Sequence, residues 1–161
     1  MNISLRNFEA KDLKTYRKWI ENIDAPKYLS RFYPKHYNGR DVQNPDFYLW
    51  YIIQTNNKDV GVIWLEKNDK QDKAIKLGIV LGDKNIFNKK IGQTAIPLAI
   101  SKAKSMMNIS SVTLNVRSNN QRAINCYKRC GFNIVNKQIK INRRFRIISF
   151  YKMALNLNVK K

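Results

Sequence analysis

The chain has 161 residues, 43% of them hydrophobic, and a net charge of +20 from 31 Lys and Arg against 11 Asp and Glu. That length predicts one domain over residues 1–161, with a core that buries roughly two thirds of the unfolded surface without disulfides or a structural metal. The N-terminus lacks the apolar run of a signal peptide and no stretch is long and apolar enough to span a bilayer as a helix, so a cytoplasmic protein with no membrane partner is expected.

The first predicted element is a strand around Ile3 and Leu5, followed by a helix over Asp12 to Ile23 with Leu13, Tyr16, Trp19 and Ile20 at helical spacing. Residues 25–46 break the pattern. Pro26, Pro34, Gly39 and Pro45 punctuate an aromatic loop that includes Tyr28, Phe32, Tyr33 and His36. Strands follow at about Phe47–Thr55, Val60–Glu66 and Ala74–Leu81, the first two joined through Asn56-Asn57-Lys58-Asp59. A helix is expected from about Ile91 to Met107, bent where Pro97 removes a backbone donor. After a strand at Val112–Val116 comes a short helix that Ser118 or Asn119 can cap and that Gly131 can end in a left-handed conformation. Phe132–Ile141 and Phe145–Leu155 read as two strands joined through Asn142-Arg143-Arg144. There is no repeat, linker or low-complexity tract.

Charge is distributed unevenly. Residues 84–161 hold 11 Lys and 6 Arg with no acid, or +17, leaving +3 for residues 1–83. Such a field draws in anions. Part of the excess is compositional, because Asn, Ile and Lys are the residues an adenine- and thymine-rich genome favours. The only cysteines, Cys126 and Cys130, lie four apart on one helix, and His36 is the sole histidine. That set predicts no metal site, and the thiols read as small apolar side chains.

On the short helix, Asn120, Ala123 and Tyr127 share a face, with the amide and the phenol roughly 10 Å apart along the axis. Read with Gly131 and Phe132, the segment resembles the Asn-x-x-Ala-x-x-x-Tyr-x-x-x-Gly-Phe signature of the GNAT superfamily of acetyl-coenzyme A-dependent N-acetyltransferases. The resemblance implies an α/β GNAT-like fold: a central mixed, mostly antiparallel sheet flanked by helices. It also implies that Asn120 contacts the pantetheine or phosphate arm of coenzyme A (CoA) and that the Tyr127 hydroxyl serves as general acid beside the thioester sulfur. The bare alternative is an amphipathic helix whose Tyr packs in the core.

The loop that opens the long helix, Asn88-Lys89-Lys90-Ile91-Gly92-Gln93-Thr94, occupies the place of the family's phosphate motif, Arg/Gln-x-x-Gly-x-Gly/Ala. Backbone amides at a helix start suit a pyrophosphate. The match is partial: Gly92 fits the last glycine, whereas Lys90 replaces the middle one and Phe87 stands where Arg or Gln is usual. Ile79, Val80 and Leu81 fall on the family's central strand, whose splayed end holds the thioester carbonyl and the pantetheine. With Asn120, Ala123 and Tyr127 these are the expected residues for acetyl-CoA, the co-substrate.

Acetyl transfer to an amine requires loss of an amine proton, donors for the oxyanion and protonation of the departing thiolate. Tyr127 is assigned the last task, since an ordinary phenol pKa near 10 exceeds that of a thiol at about 8.5. Candidate bases are Glu66, then Asp83, with a water relay as the alternative. Tyr28, Phe32, Tyr33 and His36 are expected on the acceptor side. The resemblance covers nearly the whole chain and points to the branch acting on polyamines, protein N-termini and amino sugars, with Asn142-Arg143-Arg144-Phe145 in place of its usual Asn-Gly-Arg/Lys-Tyr turn. The net charge ranks an anionic acceptor above a polycation. The rival reading is a basic module that binds RNA or a ribosomal surface, with acetyl transfer weak or lost. Neither acceptor identity nor the choice between monomer and homodimer is legible.

Overall fold

The computed structural model describes residues 2–23, 29, 31–87 and 89–158. In chain order the elements are β1 (Ile3–Asn7), α1 (Leu13–Asn22), β2 (Tyr48–Thr55), β3 (Lys58–Glu66), β4 (Ala74–Leu81), α2 (Ile91–Met106), β5 (Ser111–Arg117), α3 (Gln121–Arg129), β6 (Asn133–Ile141) and β7 (Ile147–Asn156), with 3-10 turns at Ala10–Asp12 and Lys84–Ile86. The strands form one seven-stranded sheet in the order β1-β2-β3-β4-β5-β7-β6. Every neighbouring pair is antiparallel except β4 and β5, so the sheet is mixed and mostly antiparallel, as expected.

Local chemistry sets the connections. Asn56 and Asn57 both take positive φ (50° and 67°), which makes a tight two-residue turn and starts β3 at Lys58, two residues before the expected Val60. In the β6–β7 turn the Asn142 side-chain oxygen accepts the N–H groups of Arg144 and Arg146, and Phe145 adopts φ 58°. That closure takes Phe145 and Arg146 out of the expected strand. α2 runs without a break through Pro97. The proline ring deprives the Gln93 carbonyl of its helical donor, and the Cys130 sulfur lies 3.9 Å from that oxygen. α3 is capped by Asn120, not by Ser118 or Asn119: the Asn120 Oδ1 accepts the Ala123 N–H at 3.3 Å. At its other end Gly131 (φ 96°) donates to the Lys128 carbonyl and Phe132 to that of Tyr127, a Schellman closure.

Alternation along the strands divides the core between the two faces of the sheet. Leu49, Tyr51, Ile63, Leu65, Ile75 and Leu77 pack with Ala95, Ile96 and Ala99 of α2. On the other face Trp50, Ile52, Val62 and Trp64 pack with Phe8 and with Tyr16 of α1, and Phe8 stacks on Trp50 with ring centroids 3.8 Å apart. Arg6 ties the edge together by pairing with both Asp12 and Asp59.

One irregularity in the sheet positions the site. β4 and β5 pair only from Ala74–Ser111 to Lys76–Thr113. Beyond that point β4 is held by β3 alone and β5 by β7 alone. The two strands part, and the β5-facing amides and carbonyls of β4 after Lys76 are released from strand pairing.

Candidate active site

A cavity lies on the α2–α3 side of this opening. Its floor is Ile79, Val80 and Leu81 of β4, and its walls are Phe87, the first turn of α2 from Lys90 to Gln93, and the face of α3 that carries Asn120, Ala123 and Tyr127. Among the described residues, the charged ones that line it are Lys90, Arg122 and Arg129, with no carboxylate. An apolar floor with a rim that carries Lys90, Arg122 and Arg129 suits a ligand that is apolar at one end and polyanionic at the other.

Each wall has a local cause. Lys90 is the N-cap of α2 and sits in the left-handed region (φ 62°, ψ 16°), the conformation a glycine would supply at this place. The Arg122 guanidinium carbon lies 4.0 Å from the centroid of the Phe87 ring, a cation–π contact across the cavity. Gly92 lets α3 approach α2, since a Cβ there would stand 3.0 Å from the Cys126 sulfur. Tyr127 is half-buried, its ring tilted against Phe132 at a centroid separation of 6.2 Å. Among the described residues its hydroxyl has no hydrogen-bond partner. Burial, then the neighbouring Cys126, pushes the phenol well above the usual tyrosine range, with Arg122 opposing and Cys130 reinforcing the rise. A hydrogen bond from Cys130 draws Cys126 below the ordinary thiol value, with Arg122 and Arg129 assisting against burial, and the same bond holds the proton on Cys130.

Of the residues expected to hold the donor, Ile79, Val80, Leu81, Lys90, Ile91, Gly92, Gln93, Asn120, Ala123 and Tyr127 are brought together here. Asn88 lies outside the described residues. Lys89 and Thr94 do not line the cavity: Lys89 is exposed, and the Thr94 hydroxyl turns back to the Lys90 carbonyl at 3.5 Å. Arg122, Cys126 and Arg129 were not anticipated. Their spacing of four and three residues, which places them on one stripe beside the Asn120–Tyr127 face, was the available signal.

A second cavity opens on the opposite face of the sheet, between β3–β4 and β5–β7, with Leu29 common to both cavities. Trp64 forms part of its lining and lies flat over Gly78, where a Cβ would come within 2.1 Å of the indole. Glu66, 4% exposed, is the carboxylate that lines it among the described residues. Arg31 donates to both its oxygens, and the Lys35 amide N–H adds a third bond. Three of its four lone-pair positions are therefore occupied. Asp83 reaches neither cavity; it is exposed and accepts the Asn85 N–H at 2.8 Å as the cap of a 3-10 turn.

The expected acceptor residues are placed elsewhere. Tyr28 lies outside the described residues. Tyr33 packs edge-on to Tyr16 and Trp50, and the Phe32 carbonyl accepts the Tyr16 hydroxyl. His36 rests on Phe47 and bonds the Asn68 carbonyl at 2.7 Å. None of these three lines either cavity, because their rings complete the core between α1 and the sheet or lie on the outer surface. The loop contributes Leu29 and Arg31 instead.

A sequence model of the acetyltransferase (GNAT) family matches residues 13–132. A search of curated proteins gave no significant match. The fold is shared with a GNAT-family acetyltransferase from Streptococcus pneumoniae (TM-score 0.74, 18% identity, 98% of this chain and 100% of that one). A putative phosphinothricin N-acetyltransferase superimposes with a TM-score of 0.78 at 15% identity, over 98% of this chain and 100% of that one. The spermidine N-acetyltransferase of Vibrio cholerae, in complex with CoA and spermine, does so at 0.74 and 19% identity, over 96% and 95% of the two chains. The chain belongs to the GNAT acetyltransferase family and is an acyltransferase that uses acetyl-CoA. Among the described residues no helix is long and apolar enough to cross a membrane.

Proposed function

We propose that this enzyme transfers acetyl directly from acetyl-CoA, bound in the α2–α3 cavity, to a primary amine that enters through the second cavity. The observation that carries this reading is the parting of β4 from β5 beyond Lys76, with a cavity on either face. Acetyl-CoA supplies a thioester whose carbonyl the amine attacks.

Lys90, Arg122 and Arg129 take the pyrophosphate and 3′-phosphate end, together with the amides of the first turn of α2. Arg122, stacked on Phe87, restores from α3 the guanidinium that the loop lacks at position 87. Asn120 uses its carbonyl oxygen on its own helix and keeps its amide N–H groups for the pantetheine. Released β4 backbone groups from Ile79 to Leu81 bind the thioester carbonyl. Tyr127 donates its hydroxyl proton toward the departing sulfur.

Proton removal from the amine falls to water in the open second cavity. Arg31 claims both oxygens of Glu66, so that carboxylate fixes the loop and the cavity wall and keeps a single acceptor position for the amine or its water. Acetyl-CoA titrated by calorimetry at two ionic strengths tests the donor assignment. Arg122→Ala should weaken binding by about tenfold, and affinity should fall as salt rises. Affinity indifferent to both the substitution and salt would remove the role given to the cationic rim.

A further inference from the structure

We propose that the enzyme acetylates itself at Lys76, whose side-chain amine attacks the thioester of acetyl-CoA held in the α2–α3 cavity when no other amine is supplied. The neutral amine forms a C–N bond at the acetyl carbon as the C–S bond breaks. Its surplus proton ends on sulfur, so CoA leaves as the thiol and Lys76 becomes a neutral N-acetyl amide. The inference rests on the acetyl-transfer reading of the two cavities and assigns them an acceptor within the chain.

The first support is position. Lys76 stands opposite Glu66 on β3 and opposite Thr113 on β5, at the last pair before β4 and β5 part. Its side chain lines the second cavity, and so do Gly78 of β4 and Asn115 and Val116 of β5, so the cavity follows the open seam away from Lys76. Ile79, where the released backbone of β4 takes the thioester carbonyl, is three residues on, roughly 10 Å along an extended strand. A lysine stem extended along the seam covers roughly 6 Å of that. The remaining gap is about the 3–3.5 Å from which a nucleophile attacks. Lys140, the second lysine that lines this cavity among the described residues, is exposed and lies on β6, which β7 separates from β5.

The second support is the state of the amine. Lys76 is partly buried and makes no hydrogen bond or ion pair among the described residues. Glu66, its neighbour across the strand pair, is engaged by Arg31 and by the Lys35 amide, so no salt bridge holds the ammonium form of Lys76 in place. Trp64, 3% exposed, and Phe150 add apolar surface to the same cavity. Burial, then Arg31, opposed by Glu66 and reinforced by Lys152 and Lys35, draws the Lys76 pKa below the ordinary lysine value. A lowered pKa leaves more of the side chain as the free amine, the form that attacks a thioester. Acetylation then removes the charge that burial disfavours.

The test incubates the purified chain with acetyl-CoA and no added amine and follows each lysine by peptide mass spectrometry. Lys76 should be acetylated at least about tenfold faster than Lys140 and the other exposed lysines, because its thioester is held in place and theirs must be met from solution. The rate per molecule should not change with protein concentration, as a reaction within one chain requires. In concentrated urea the lead of Lys76 should vanish. The mapping uses the parent protein, so its outcome does not depend on a variant that folds. Lys76→Arg keeps the charge but should lose the early acetyl group and the CoA thiol released with it. Lys76 modified no faster than the exposed lysines, a rate per molecule that rises with protein concentration, or a lead that survives in urea would overturn the inference. Calorimetry with acetyl-CoA keeps the two readings separable. Acetyl-CoA that binds while Lys76 stays unmodified overturns self-acetylation and leaves the donor assignment standing, whereas failure of acetyl-CoA to bind sinks both.

Discussion

Tyr127→Phe is the most discriminating substitution in the proposed site. It removes one oxygen and keeps the ring, whose contacts with Phe132 and the α2–α3 core are apolar. Because the hydroxyl bonds to no described residue, its loss should alter stability by less than about 0.5 kcal/mol. The catalytic effect is bounded by the phenol's acidity. An ordinary phenol at about 10 is already a weaker acid than a thiol at about 8.5, and burial carries Tyr127 further up. Complete transfer to a thiolate is therefore uphill, and the contribution is a hydrogen bond to charge developing on sulfur, worth roughly 1.5–3 kcal/mol or about 10- to 150-fold in kcat. Because the phenol pKa lies above that of the thiol, Tyr127 serves as a hydrogen-bond donor to the developing thiolate without needing to give up its proton fully. A raised pKa also keeps the proton in place across neutral and mildly alkaline pH, so no fall in rate below about pH 10 should come from Tyr127 ionisation. Turnover by CoA release, acetyl-CoA affinity by calorimetry and melting temperature together decide the matter. Full activity in Tyr127→Phe, or a loss wholly explained by weaker acetyl-CoA binding, would refute the assignment.

Lys90→Gly separates backbone from charge: relief of the left-handed conformation should stabilise the fold by up to about 1 kcal/mol, while acetyl-CoA affinity falls and its salt dependence flattens. Gly78→Ala forces a Cβ into the Trp64 indole and should destabilise by about 1–3 kcal/mol, seen as a drop of roughly 2–4 °C per kcal/mol in a thermal melt. For Asp12 and Asp59, burial opposes the charge, but hydrogen bonds from Arg6 outweigh it and hold both carboxyls below their usual range. The stability they add is complete above the unfolded value near pH 4 and is lost as pH falls through the lower folded values. Arg6→Ala should therefore cost about 1–3 kcal/mol at neutral pH, with the gap to the parent protein closing in acid by denaturant titration.

Most of the fold was legible because its signals are local. Near-continuous apolar runs at residues 48–53 and 60–65 report strands buried on both faces of a sheet, and Gly131 reports a helix end that requires a left-handed residue. The errors fall where side chains closed a turn. Asn142 satisfies two backbone N–H groups and so displaced the start of β7, and Asn56-Asn57 lengthened β3. The first cavity was legible as a pattern on α3 and on the start of α2. The second was not, since Arg31, Glu66, Lys76, Arg117 and Lys140 come from five separate segments and meet only through sheet register. Phe32, Tyr33 and His36 misled for a related reason: an aromatic loop serves a core as readily as a ligand, and periodicity does not distinguish the two.

The altered phosphate loop illustrates how a motif can change residues while its physical requirements persist. A pyrophosphate at a helix start needs backbone amides that converge and a counter-charge nearby. Convergence depends on left-handed geometry at the N-cap. Lys90 adopts it at an expense of about 1 kcal/mol, where glycine would adopt it freely. The lysine returns a charge at the same position. Phe87 brings no charge at all, yet its ring gives the Arg122 guanidinium a face to rest on. Arg122 is thereby held over the helix start from across the cavity, with its N–H edge still open to a phosphate, since a cation–π contact uses the face of the guanidinium and leaves its donors in plane. Phe87 and Arg122 should then act as one unit. Phe87→Ala, which touches no phosphate itself, should weaken acetyl-CoA binding, and it should add little in a background that already carries Arg122→Ala.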